Sequence, residues 1–202
     1  MNGRETEAKF FVRQLSVIEG RLLECGAQLI RSRAHESNLR FDTVDRALSR
    51  NGRVLRLRQD VGAHMTYKGP SETRDGVMSR EEIEFVVEDS EAARQLLEAL
   101  GFGVITFYEK YRTSYQMNSA SIMLDELPFG DFVEVEGPDI ESIREVSAEL
   151  GLRWEAAIAD SYLALYERIA GARGLDATHL SFEVFRAGKP SAEDLAVQVA
   201  DD

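Results

Sequence analysis

Polar and less polar residues alternate along 4–12 (Arg-Glu-Thr-Glu-Ala-Lys-Phe-Phe-Val), the two-residue period of a strand. The period then lengthens. Leu15, Ile18, Leu22 and Leu23 are spaced for one face of a helix over about 15–26, with Gly26 as its stop. Further strands are expected near 36–43, 53–60 and 64–69, the last closed by Gly69-Pro70. The second half repeats this order. A strand-like run at 79–87 carries Glu82 and Glu84, 77 residues after Glu5 and Glu7. A helix-like run at 89–100 follows, with Ala92, Leu96, Leu97 and Leu100 on one side. Strands are then expected near 104–116, 120–127 and 130–137, ending at Gly137-Pro138. The two Gly-Pro endings are 68 residues apart rather than 77. The body therefore reads as two copies of strand–helix–three strands that have drifted by insertion, about eight strands in all. Similar hairpins reached independently would give the same order. Beyond 138 the pattern predicts helices at about 139–151 and 155–170, the second with Ile158, Tyr162, Leu165, Tyr166 and Ile169 on one face. From Gly171 the chain is richer in Gly, Ala and Asp; Phe182 and Phe185 can dock this tail, and the rest of it is expected to be mobile.

Alternation gives nearly every expected strand one ionic and one apolar face. Glu5, Glu7 and Lys9 share a face, as do Arg56 and Arg58, with Leu55 and Leu57 opposite. Thr66 and Lys68 form a set, as do Arg80, Glu82 and Glu84, then Lys110 and Arg112, then Glu134 and Glu136; Asp125 ends the run Ile122-Met123-Leu124. A sheet with one solvated face shows the same alternation, and for any single strand that is the stronger reading. Two features point elsewhere. The helix after the first strand of each half has an apolar face that needs a partner, and the charges are sorted by sign. Arg and Lys gather on 53–60, 64–69 and 110–112, carboxylates on 5–7, 82–84, 125 and 134–136. Eight such strands closed with the ionic face inward would enclose a wet lumen for a charged guest. The basic set suits a polyanion, because Arg forks match phosphate oxygens. The acidic set would repel that anion unless hard Mg2+ or Mn2+ stood between them. Alternation alone leaves open which way the ionic face points.

Composition narrows the setting. With 202 residues, 44% hydrophobic and 30% charged, the chain suits one substantial soluble domain or two small ones. No apolar run approaches the ~20 residues of a membrane span, and the polar start Met1-Asn2-Gly3-Arg4-Glu5 shows no signal peptide. Cys25 is the only cysteine, which excludes an internal disulfide and fits a reducing cytoplasm; it reads as a small apolar residue on a helix. A net charge of −12 argues against general nucleic-acid binding. His35, His64 and His179 lack zinc spacing and are expected at the surface. Gly101-Phe102-Gly103 fits a helix end, and Lys68-Gly69-Pro70 reverses the order of a Walker-type loop.

Taken in order, Glu5-Thr6-Glu7-Ala8-Lys9, Thr66-Tyr67-Lys68-Gly69-Pro70, Arg80-Glu81-Glu82-Ile83-Glu84 and Glu134-Val135-Glu136-Gly137 resemble the CYTH family, the triphosphate tunnel metalloenzymes. That family's name joins a class IV adenylyl cyclase with thiamine triphosphatase, and its hallmark is a Glu-x-Glu-x-Lys strand. With Arg-x-Arg and Lys-x-Arg also in place, the resemblance covers roughly residues 4–168. It implies an α+β fold: an eight-stranded antiparallel β-barrel tunnel from two β-α-β-β-β units, with flanking and C-terminal helices. The tunnel domain would span 1–170 and a C-terminal extension 171–202. The resemblance implies triphosphate binding by Arg56, Arg58, Lys68, Lys110 and Arg112, with Arg80. It implies metal ligation of Mg2+ or Mn2+ by Glu5, Glu7, Asp125, Glu134 and Glu136, with Glu82 and Glu84 as further candidates. Lys9, with Glu5 and Glu7 beside it, forms the catalytic set. A desolvated lysine among cations can serve as a base, but the flanking carboxylates oppose that shift, which favours phosphate binding.

The chain also departs from the family pattern. Where many members carry Gln-x-Asp-x-Tyr-Phe, it has Glu36-Ser37-Asn38-Leu39-Arg40-Phe41, so Arg40 either adds a phosphate contact or points to solvent. The His-Phe signature of some bacterial cyclases is absent, which lowers the cyclase reading. Ser161-Tyr162 resembles the family's last helix, with Tyr162 assigned to packing. The implied activity is hydrolysis of the terminal phosphate of inorganic, thiamine or nucleoside triphosphate. The alternative is cyclisation of ATP to cyclic AMP and pyrophosphate. A non-catalytic polyphosphate-binding module is the reading from another class, and for it the carboxylates are a liability. The expected partner is a small-molecule triphosphate, with no nucleic acid and no membrane, and the chain is expected to be a monomer or homodimer.

Overall fold

The computed structural model describes residues 2–186 and 188–201; Met1, Ala187 and Asp202, which belong to the expected domain and tail, lie outside the described residues. The first half runs β1 (Asn2–Val12), α1 (Leu15–Glu24), β2 (Gln28–Asp42), α2 (Ala47–Arg50), β3 (Val54–Gln59), β4 (Ala63–Lys68) and β5 (Glu72–Arg74). The second runs β6 (Val77–Val87), α3 (Ser90–Ala99), β7 (Gly103–Met117), β8 (Ala120–Leu127) and β9 (Gly130–Glu136), followed by α4 (Ile140–Glu149), β10 (Ala157–Ile158), α5 (Tyr162–Arg173) and β11 (His179–Leu180).

Eight of these strands pair in the order β1-β9-β8-β7-β2-β3-β4-β6, and β6 returns to β1, where Arg80 lies opposite Glu5. Every pairing around this closed ring is antiparallel. The eight-stranded assembly of two β-α-β-β-β units is therefore present. β10 and β5 are short additions on β1 and β6, and β11 adds to β7 in parallel. The halves interleave: β1 sits beside β9, and β6 beside β4.

Two boundaries differ from expectation for identifiable reasons. β2 begins at Gln28 rather than near 36, because register irregularities between Leu29 and Ala34 break the two-residue period. The last long helix begins at Tyr162 rather than 155. Ser161 caps it by accepting from the Ala164 N–H at 3.2 Å, while Ile158, which mimics its apolar face in sequence, belongs to β10 opposite Lys9. α1 ends as expected, with Gly26 at φ +74°.

The outward strand faces are covered unequally. Ile18 and Leu22 of α1 and Ile143 and Val146 of α4 join Phe10, Tyr115, Ile122, Val133 and Val135 in one core. α3 covers Phe41, Leu57 and Met65 with Ala93 and Leu97, leaving Leu96 and Leu100 exposed although they were expected on its packed side. α5 instead closes one end of the ring, laying Tyr162, Leu165, Tyr166 and Ile169 against Phe11, Leu127, Phe129 and Phe132, and Leu180, Phe185 and Leu195 of the tail join this cluster. Phe182 instead lies half-buried beside Tyr111, 5.3 Å between ring centres. Among the described residues no helix is long and apolar enough to cross a membrane.

The turn from β2 into β3 hangs on one buried carboxylate. Asp42 accepts from the N–H groups of Thr43 (2.8 Å), Leu48 and Ser49 (both 2.9 Å) and from the Ser49 hydroxyl (2.6 Å). Burial alone would raise its pKa, but these bonds, led by Ser49, bring it down to about 2. A depressed acid contributes stability that is present above its unfolded pKa and lost as pH falls through the folded one. We expect Asp42→Ala to destabilise the protein by about 2–3 kcal/mol at neutral pH. In urea titrations its gap to wild type should narrow between pH 5 and pH 3; a gap that stays constant over that range would exclude this role.

Candidate functional site

The alternation on each strand sends one set of side chains to the helices and the other into the ring. On β1, Ala8 and Phe10 enter the outer core while Glu5, Glu7 and Lys9 face a cavity of about 450 Å3, within the ~300–1,000 Å3 usual for small-molecule sites. Arg40 on β2, Arg56 and Arg58 on β3, Lys68 on β4 and Lys110 and Arg112 on β7 line the same cavity. So do Arg80, Glu82 and Glu84 on β6 and Glu134 and Glu136 on β9. The ionic face points inward. Asp125 differs from the other expected residues: it shares the inward face of β8 with Met123 but is fully buried beneath the cavity surface, where Lys110 (2.9 Å), Arg112 and the Tyr162 hydroxyl (2.9 Å) already occupy its oxygens.

Ring order turns the sorting by sign into two sectors. β9, β1 and β6 are consecutive and carry most of the carboxylates; β7, β2 and β3 are also consecutive and carry most of the arginines and lysines. Ion pairs knit the sectors together. Lys68 meets Glu5 at 2.7 Å and Glu82 at 3.0 Å, and Arg80 meets Glu5 at 3.0 Å. Glu84 takes Arg58 at 3.1 Å, Arg56 at 3.5 Å and the Thr66 hydroxyl at 2.8 Å. Arg112 bridges Asp125 and Glu134.

These neighbours set the ionisation of the carboxylates against burial, which raises all of them. Lys68 and Arg80 hold Glu5 down to about 2, and Arg112 and Lys9 hold Glu134 well below the ordinary carboxylate range. Glu7 and Glu136 have no ion pair or hydrogen bond among the described residues. Burial and then Glu134 push Glu7 up; burial and then Glu5, Glu7 and Glu82 push Glu136 up to about 7. Glu82, which shares Lys68 with Glu5, is also raised by burial. Buried carboxylates held together against their own repulsion are a donor set that fits a hard divalent cation. Among the described residues no three such side chains already surround one point.

Lys9 is held loosely: Glu134 at 3.4 Å, the Asp160 carbonyl at 3.4 Å and the Tyr162 ring at 4.3 Å. Arg40 lines the cavity without an ion pair or hydrogen bond among the described residues, its Nε buried, which removes the outward alternative. Burial lowers its pKa.

Sequence reasoning missed Glu36, Asn38 and Tyr108. Glu36 is buried 3.7 Å from Lys110, and Lys110 and Arg112 hold its pKa down to about 2 against burial. Asn38 is fully buried with both amide atoms unpartnered, and the Tyr108 hydroxyl accepts from Arg56 at 3.4 Å. Extending the two-residue period back from Arg40 and Lys110 would have found all three. His64, expected at the surface, is half-buried between Asp60 (3.8 Å) and Glu84 (3.7 Å), because it shares the inward face of β4 with Thr66 and Lys68. His35 and His179 are exposed.

Comparison with known proteins matches residues 3–152 to the family model of the CYTH domain. A Methanocaldococcus jannaschii protein described as a putative adenylate cyclase is 28% identical over 172 residues, spanning 80% of this chain and 97% of the relative. Among solved structures, a putative adenylate cyclase from Vibrio parahaemolyticus shares 22% identity with a TM-score of 0.71, over 80% of this chain and 97% of its own. A Hippeastrum protein described as a putative adenylyl cyclase with a dominant triphosphatase activity shares 18% identity with a TM-score of 0.61, over 85% and 97%. At these identities both structures speak to the fold.

The raised Glu136 carboxyl gives the protein's stability a dependence on pH. With its folded pKa above the unfolded value, its ionisation costs stability progressively from about pH 4.5 to 7 and fully above that. In chelator, Glu136→Gln should therefore melt above wild type at pH 8 and converge with it toward pH 5. A variant that melts at or below wild type at pH 8 would contradict the repulsion described here.

Proposed function

The chain belongs to the CYTH domain family, and on that premise we propose that it is a metal-dependent triphosphatase, hydrolysing the terminal phosphate of inorganic, thiamine or nucleoside triphosphate inside the ring. The observation that carries this reading is the opposition of a basic sector on β7, β2 and β3 to an acidic one on β9, β1 and β6 across a single cavity. A polyanion suits the first sector and is repelled by the second. Mg2+ or Mn2+, held by Glu5, Glu7, Glu82 or Glu136 with water and phosphate oxygens completing the shell, would screen that repulsion and polarise the phosphoryl group.

The protein's own groups do the rest. Arg56, Arg58 and Arg112 exchange their carboxylate partners for phosphate oxygens, and the unpaired Arg40 meets the anion with nothing to displace. Lys9, loosely held, swings onto a phosphate oxygen. Water attacks the terminal phosphorus in line; its P–O bond forms as the bond to the leaving diphosphate oxygen breaks, and its protons are shared between the products, orthophosphate and the corresponding diphosphate. A fold neighbour with dominant triphosphatase activity supports the capacity of this scaffold for the reaction.

Cyclisation of ATP is the second reading, favoured by the description of the M. jannaschii relative, which the chain matches over 97% of that protein's length. One panel separates the two. Purified protein with Mg2+ or Mn2+ receives inorganic triphosphate, thiamine triphosphate and ATP, and orthophosphate, pyrophosphate and cyclic AMP are scored. Orthophosphate release is expected; cyclic AMP with stoichiometric pyrophosphate would replace the hydrolase reading, and tight binding without turnover would leave a binding module. Arg56→Ala should lower kcat/KM by about 10- to 100-fold, mainly through KM. Unchanged KM and kcat would remove Arg56 from the substrate's path.

A further inference from the structure

Tyr162 stands outside the stretch that matches the family model, at the first turn of a helix that closes one end of the ring, yet it touches the chemistry. Its hydroxyl donates to Asp125 Oδ2 at 2.9 Å, the same oxygen that receives Lys110 at 2.9 Å and Arg112. Its ring lies 4.3 Å from the Lys9 ammonium and 5.4 Å from that of Lys110. Phe132, edge-on at 5.0 Å, fixes the plane of that ring. Ser161 caps the helix and Asp160, one residue earlier, offers its carbonyl to Lys9. Three cations on two different strands are thus referred to one phenol.

We propose that Tyr162 is a positioning residue for the anion-binding cations: its hydroxyl orders Lys110 and Arg112 through Asp125, and its ring holds Lys9 in place without neutralising it. An aromatic face attracts an ammonium but carries no net charge, so Lys9 stays available to a phosphate in a way that a short carboxylate pair would prevent. The phenol also fills the remaining acceptor capacity of Asp125, which solvent does not reach. Without that bond the aspartate can turn, and both cations turn with it. Ordering them before the substrate arrives removes that cost from binding.

The proposal rests on the reading of the cavity as a triphosphate site, so the first arm measures wild type: binding of inorganic triphosphate by calorimetry without metal, and its turnover with Mg2+ or Mn2+. Neither binding nor turnover would sink that reading and this proposal with it. Given an active wild type, Tyr162→Phe, which keeps the ring, should lower kcat/KM by about 10- to 100-fold, mostly in KM, with a matching loss of metal-free affinity. Tyr162→Leu, lacking the ring as well, should lose more and should also lower kcat. Tyr166→Phe is the structural control, because its hydroxyl donates to the Asp176 (2.7 Å) and His179 (3.0 Å) carbonyls away from the cavity; it should lower Tm and leave KM and kcat alone. If Tyr162→Phe fails to fold, Asp125→Asn, which weakens the same bond from its other partner, should show the KM rise. Normal KM, kcat and affinity in a folded Tyr162→Phe would overturn the proposal, as would a change confined to Tm.

Discussion

An ionised side chain taken out of water costs several kcal/mol unless opposite charge and hydrogen bonds meet it, and each of the eight ring strands brings at least one such group inside. Satisfying that constraint accounts for much of what is seen. Lys68 sits between Glu5 and Glu82, Glu84 between Arg56 and Arg58, Arg112 between Asp125 and Glu134. Each of these pairs joins two strands, and Lys68 and Arg112 each bridge partners on two different strands, so the ion pairs also hold the ring in register. The few groups left over are Arg40, Glu7 and Glu136, whose charges no ion-pair partner among the described residues meets.

Two similar halves produce an asymmetric site. Exchanging β1–β4 with β6–β9 maps the ring onto itself, and the carboxylates follow this symmetry on the first strands, where Glu5 and Glu7 answer Glu82 and Glu84. It fails on the third and fourth strands of each half. β3 brings Arg56 and Arg58 where β8 brings Met123 and Asp125; β4 brings Thr66 and Lys68 where β9 brings Glu134 and Glu136. A ring with matching walls would bind like charges at both ends of its pseudo-axis. Breaking the match gives the cavity a polarity.

The period-two alternation made the strands and their ionic faces legible, since a strand gives each side chain only two directions. It could not say which direction was inward; that depends on closure between β1 and β6, a contact between residues some 75 positions apart, as in the bond from Arg80 to Glu5. Legibility also failed where local rules were broken. Irregular pairing hid the first half of β2, and Ile158 imitated a helix face it does not belong to. The contact between Asp125 and Tyr162 crosses from β8 to α5 and appears only in three dimensions.

The interleaving of the halves has a consequence for the order of events during synthesis. β1 emerges first and carries Glu5, Glu7 and Lys9, yet its ring neighbours are β6, which ends at Val87, and β9, which ends at Glu136. At ~5–20 residues per second this charged strand waits several seconds for β6 to be made, and longer for β9. Local pairs such as β3 with β4 can form early, but β1 has no lateral partner until β6, the fifth of the eight ring strands in chain order, has been made. The glutamates and lysine that serve the finished cavity are well suited to that interval, because a strand so rich in charge is a poor template for intermolecular association.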